Sequence, residues 1–146
     1  MRSFFATDGS SLVLTLQRTV LATVILAHGL QKAFGWFHGF GFRGTIAWFG
    51  SINVPAALAL LVILAETVGA AALFAGAATR FAAAGIALVM IGAIFLWHLP
   101  NGFYMNWGGS QKGEGIEFFV LALALALPLV VRGAGALSVD GVLARL

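Results

Sequence analysis

Cysteine is absent from the 146-residue chain, which excludes disulfides, thiolate metal ligands and any thiol redox chemistry run by its own side chains. Charge is nearly as scarce. Charged residues make up 9% of the sequence, against roughly 25% in soluble globular proteins, so too few polar residues exist to clothe a core of this size in water. The eight Lys and Arg stand singly rather than in a basic stripe. Nucleic acid is thereby excluded as a partner, because phosphate recognition needs clustered cations. The opening MRSFFATDGSSLVL has no small-residue cleavage site at the usual place, so the apolar run that follows is expected to stay in the membrane.

What the chain does have is apolar length. Four segments, 11–34, 55–75, 80–99 and 114–131, are predicted to be helices. A hydrocarbon core about 30 Å thick needs about 20 helical residues, and the first three segments each reach that number. The uncharged part of the fourth, residues 118–131, would span only about 21 Å, so its helix is expected to begin near Glu114 and to draw Glu117 inside the boundary. The expected fold is an all-α membrane protein: a four-transmembrane-helix bundle, one domain over residues 1–146. A short interfacial helix is expected in the first outward loop, within residues 42–52. The tail SVDGVLARL is similar, with Val139, Val142, Leu143 and Leu146 available to face lipid.

Four spans place both termini on one side. That side holds Arg2, Arg80, Arg132 and Arg145, and the other holds Lys32, Arg43 and Lys112. The excess favours cytoplasmic termini in a bacterial inner (plasma) membrane. All four tryptophans, Trp36, Trp48, Trp97 and Trp107, and all three histidines, His28, His38 and His98, fall on the side opposite the termini. Aromatic belts ordinarily occupy both interfaces, so one face of the protein is chemically distinct.

Several ionisable residues lie within the apolar segments. On the first helix Arg18, Ile25, Gly29 and Lys32 form one stripe, flanked by His28. Glu66 falls near the middle of the second helix, where a charge costs roughly 3 kcal/mol even on a lenient scale. It needs a partner. Counted from the terminal side, Arg18 and Glu66 lie within roughly 3 Å of each other in depth, and a buried Arg18–Glu66 ion pair is the expectation. At the other end His98 closes the third helix, while Glu114 and Glu117 share one face of the fourth. His28, Lys32, His98 and Glu117 are expected to line one outward-facing pocket, with Trp36, Trp97, Trp107 and Glu114 contributing to ligand binding. Each residue also has a structural reading: headgroup anchors for the tryptophans, snorkelling for Lys32, helix capping for the acids and register for the ion pair. Two carboxylates and two histidines resemble a bundle iron site, but the Glu-x-x-His repeat of such sites is missing. A metal is not expected.

The stretches LQRTVLATVILAHGLQK, LAETVGAAALFAGAATR, HLPNGFYMNWGGSQKGEGIE and GAGALSVDGVL resemble, in order and spacing, the DoxX-like membrane proteins. The resemblance covers nearly the whole chain. It implies a four-helix membrane fold and an association with redox metabolism, since some members are membrane subunits of a thiosulfate:quinone oxidoreductase. Others work beside soluble sulfur-handling or superoxide-detoxifying partners, and a distant branch assists channel assembly. Positions here that match the family's polar motif are Arg18, His28, Gly29, Lys32, Glu66, Arg80, His98 and Glu117.

The function expected from these features is that of a membrane subunit of a quinone-linked oxidoreductase system, binding a quinone or similar lipid-soluble ring at the outward face. His28 or His98 would hydrogen-bond the headgroup, Glu117 or Glu114 would exchange its protons, and Lys32 would stabilise charge on it. Electrons would come from a redox partner, soluble or in the membrane, and oligomerisation is compatible with the fold. The competing expectations are a noncatalytic membrane anchor or assembly factor, and a small transporter using Glu66.

Overall fold

The computed structural model describes residues 7–145, and within them every regular element is helical. Arg2 and Leu146 lie outside the described residues. The first helix, α1 (Leu12–Phe34), starts where the Ser11 hydroxyl accepts the Leu14 amide and stops at Gly35, whose left-handed backbone (φ 74°) returns its N–H to the Gln31 carbonyl. Such a terminus suits glycine because no Cβ opposes it. A short turn, Trp36–His38, leads into α2 (Gly41–Ser51). Two long helices follow, α3 (Ala56–Ala75) and α4 (Thr79–Asn101), then α5 (Glu117–Arg132) and the single-turn-and-a-half α6 (Val139–Leu143).

Three helices, α1, α3 and α4, are long and apolar enough to cross a bilayer. The chain reads as an integral membrane protein. The fourth long helix is a correction to the expectation: α5 begins at Glu117, not near Glu114. Its 16 residues give about 24 Å of helix. The chain before it is not helical because loop carbonyls take up its amides: Gly115 N–H donates to Tyr104, Ile116 to Gly102 and Glu117 to Phe103, at 2.9–3.2 Å. Non-helical backbone near an apolar phase is tolerated where protein satisfies it in this way.

The helices pack through small residues. Ala22, Ala59, Ala70, Ala83 and Ala126 are fully buried, interleaved with Leu21, Ile25, Leu73, Ile86 and Leu129. Small side chains let helix axes approach, which is the main source of association where lipid is as apolar as leucine. The outer surface carries Leu61, Val68, Leu88, Phe95 and Leu121, as expected of a bundle whose solvent is hydrocarbon.

The terminal end of the bundle is tied by buried polar groups. Arg18 is 2% exposed. Its guanidinium donates to the carbonyls of Leu73 and Ala134 at 3.0 Å, to Leu137 at 3.1 Å and to Phe74. Leu73 and Phe74 are in the last turn of α3, at its negative dipole end, where the Leu73 carbonyl also accepts the Gly76 amide at 3.0 Å. Asp140, also buried, closes the neighbouring helix: its two carboxylate oxygens accept the Ala78 and Thr79 amides at 2.8 Å. The stretch after α5 is thus wedged between α1 and the α3–α4 turn, and Val139, Val142 and Leu143 remain exposed on its outer side. Asp8 and Arg132 pair at 2.9 Å, closing residues 7–11 onto the end of α5. Hydrogen bonds from Ser10 and Arg132 hold the Asp8 carboxyl below the usual carboxylate range.

The expected Arg18–Glu66 pair is not formed. Arg18 lies level with the end of α3, because the first turns of α1 stand beyond that end inside the returning tail. Glu66 is eight residues earlier in α3, about 12 Å away along the axis. Replacing Arg18 with Met takes a donor from four carbonyls, of which Leu73 keeps the Gly76 amide, at roughly 1–3 kcal/mol for each left buried that finds no water. A loss of about 3 kcal/mol or more in detergent unfolding is expected. Combined with Glu66→Gln, the loss should be additive, since the two sites share no partner; a strong coupling between them would contradict this placement.

Candidate functional site

Glu66 sits in a π-helical turn, Ala65–Gly69, set inside α3. Turns of this kind insert an extra residue into the helical ladder and recur at functional positions. The Thr67 hydroxyl donates back to the Ile63 carbonyl at 2.6 Å, a local bond of the type that loosens a helix. Against this turn lies Gly29 of α1. A Cβ added there would overlap the Glu66 carbonyl group, so only glycine lets the two backbones meet. One turn further along α1, Lys32 reaches the carboxylate: its Nζ donates to Glu66 Oε2 at 2.5 Å. The two partners are unequally covered. The Lys32 side chain is 27% exposed and that of Glu66 6%.

The exposure of Lys32 is toward a cavity of about 260 Å³ lined by Gln31, Lys32, His38, Gly39, Phe40, Thr45, Trp48 and Phe49. The connection after α1 creates it. Gly35 and Gly41 take positive φ, and so do Phe37 (φ 52°) and His38 (φ 63°), a conformation that costs non-glycine residues about 1–3 kcal/mol each. Gly39 packs its backbone onto Gln31, and the Gln31 amide donates to the Phe37 carbonyl at 3.2 Å. The chain therefore doubles back and lays α2 across the end of α1. Thr45 donates to the Lys32 carbonyl at 3.1 Å, and Trp48 and Phe49 follow at helical spacing to wall the cavity.

The expected pocket of His28, Lys32, His98 and Glu117 is not the one observed. Of these four only Lys32 lines the cavity. His28 packs its ring on Phe118, with centroids 5.5 Å apart, and is otherwise exposed on α1. His98 lies in a second π-helical turn, Ile94–His98, 2.8 Å from the Glu114 carbonyl through Nδ1. A carbonyl only accepts, so that nitrogen carries the proton. Glu117 accepts the Met105 amide at 3.1 Å and Glu114 the Asn106 amide at 2.6 Å. Both acids thus fold the loop before α5 instead of facing a ligand. Trp36 and Trp107 are exposed and line neither cavity. Trp97 borders a second cavity of about 370 Å³, with Leu96, Pro100, Asn101, Lys112 and Gly113. Its ring meets Trp48 edge-on at 5.6 Å, so this tryptophan pair stands between the two cavities. Among the described residues no three His, Asp or Glu side chains gather where they could hold a metal.

The sequence places His38 and Trp48 on the distinct outward face without a role in the expected pocket, and it gave no notice of Thr45 or of the Lys32–Glu66 pairing. The usable signal was the i, i+3, i+4 spacing of Thr45, Trp48 and Phe49, which puts all three on one face of α2.

The DoxX family model matches residues 13–99, more than half of the chain and the part holding Gly29, Lys32, Glu66 and the whole first cavity. The chain belongs to the DoxX family. It is 33% identical over 125 residues to the protein named "Putative oxidoreductase CatD" of Bacillus subtilis (strain 168), a match covering 86% of this chain and 82% of that protein. No solved structure matches it significantly.

The contact at Gly29 gives a direct test of how the pair is positioned. Gly29→Ala is expected to push α1 off the π-helical turn and to lower the unfolding temperature in detergent by several degrees. Gly85→Ala, on α4 where an added Cβ meets nothing, should be neutral or stabilising by up to about 1 kcal/mol. Equal effects at the two positions would mean that Gly29 is not a contact point.

Proposed function

We propose that this DoxX protein is the membrane subunit of a quinone-linked oxidoreductase system, with the cavity beside Lys32 as its ring-binding site. The observation that carries the reading is a buried ion pair whose lysine end opens into an aromatic-walled cavity. A dry cavity of 150 Å³ holds a benzene ring, so about 260 Å³ suits one substituted ring with its tail outside. Phe40, Trp48 and Phe49 offer ring faces, and Lys32, Gln31 and His38 offer groups that can donate to carbonyl oxygens. The residues fit a quinone headgroup. When bound, a quinone supplies the electron-accepting capacity that the chain's own side chains lack. The protein's part is to orient the ring against Trp48 and to place the Lys32 ammonium where negative charge develops. The name of the Bacillus subtilis relative is consistent with an oxidoreductase setting.

In this reading α5 is the fourth span, completed by the ordered loop ahead of it, α2 lies in the outward interface, and the termini are cytoplasmic in a bacterial plasma membrane. A second reading, as an anchor for a protein partner, draws on Trp107, Tyr104 and Phe103, which stand exposed on the loop before α5. Purification in mild detergent followed by organic extraction separates the two. The first reading expects bound quinone and quenching of tryptophan fluorescence by an added short-chain ubiquinone. In that titration Lys32→Met should weaken binding roughly tenfold or more, the worth of one charged hydrogen bond. A stoichiometric protein partner without quinone, and no quenching, would favour the anchor.

A further inference from the structure

The ion pair beside the cavity is built asymmetrically. The Lys32 backbone is pinned by Thr45, while its flexible side chain borders the cavity; Glu66 is sunk in the bundle and accepts a hydrogen bond from Lys32. A ligand oxygen can reach the ammonium and cannot reach the carboxylate. Anything that draws Lys32 away therefore leaves a carboxylate without its counter-charge in an apolar surround, the arrangement that neutralises by taking a proton.

We infer that Glu66 is the proton acceptor of this site: ligand capture of Lys32 is accompanied by uptake of one proton at Glu66. The inference rests on the ring-binding reading above and assigns Glu66 a positioning role exerted through Lys32, without contact with the ligand. The step is a simple exchange. The Lys32 Nζ–H that bonded Glu66 turns to the ligand oxygen, and the freed Glu66 carboxylate takes up one proton from the buffered aqueous phase to become a carboxylic acid. Among the described residues Glu66 is the carboxylate paired with Lys32, and the other titratable and charged groups nearby stand differently. On α1 His28 lies within electrostatic reach of both partners, but its ring packs toward Phe118. His38 borders the cavity from the connecting turn, Arg43 is exposed on α2, α4 carries no titratable side chain between Phe81 and Trp97, and Glu117 of α5 is taken by the Met105 amide.

Binding of a short-chain ubiquinone, followed by tryptophan quenching in detergent between pH 6 and pH 8, tests the inference. One proton taken up per ligand makes the affinity fall tenfold for each unit of rising pH. Glu66→Gln should bind with no such slope, and tighter than the wild type at pH 8. If His28 or His38 caused the slope, it would persist in that variant and the inference would be overturned. Should Glu66→Gln fail to fold, the infrared difference spectrum of the wild-type protein decides: a protonated-carboxyl band must appear as the quinone is added, and its absence on binding overturns the inference. Binding without pH dependence removes the proton coupling and leaves the ring site standing. No binding at any pH removes both.

Discussion

A carboxylate placed in the interior of an apolar bundle must find a cation or a proton, and the DoxX chain is organised around giving Glu66 a cation. The cost of an unmet charge there, roughly 3 kcal/mol or more, is comparable to a large part of a small protein's net stability. The solution involves three successive features of the chain. Glu66 is carried in a π-helical turn, Gly29 allows α1 to touch that turn, and Lys32 arrives one helical turn later. The doubled-back chain after α1 then covers Lys32 with α2 and leaves a cavity at its side.

The two ends of the bundle spend their polar groups differently. At the terminal end, Arg18 has four carbonyl partners, two at the end of α3 and two in the tail after α5, and Asp140 has two amides at the α3–α4 turn. Such multiply tied groups cannot change partner without opening the fold. At the other end, Lys32 holds Glu66 by one contact and borders open space. A single exchangeable bond beside a cavity is what ligand-linked chemistry requires, and the aromatic residues Phe40, Trp48 and Phe49 gather on that side.

Much of the helical framework is legible in the residues. Ser11 and Gly35 bound α1, and apolar length identifies three helices that can cross a bilayer. The pairing of charges was not legible by counting depth from helix ends, because the count assumed that the start of α1 and the end of α3 lie in one plane. The first turns of α1 in fact stand inside the returning tail, which no local pattern announces. Glu117 misleads for a related reason: a carboxylate at a helix start can serve a loop amide as readily as a pocket, and the choice depends on where residues 102–105 fold back. Gly29 was the available clue, since a glycine on the same stripe as Lys32 marks where a backbone can come close.

The measurement that bears most directly on this account is a double-mutant cycle on Lys32→Met and Glu66→Gln, read by unfolding of the full chain in detergent. A buried pair in contact should show each single change costing about 3 kcal/mol and the double change costing less than their sum by at least about 1 kcal/mol. Strictly additive losses would mean that the two side chains do not meet, and the site built on their contact would fall with them.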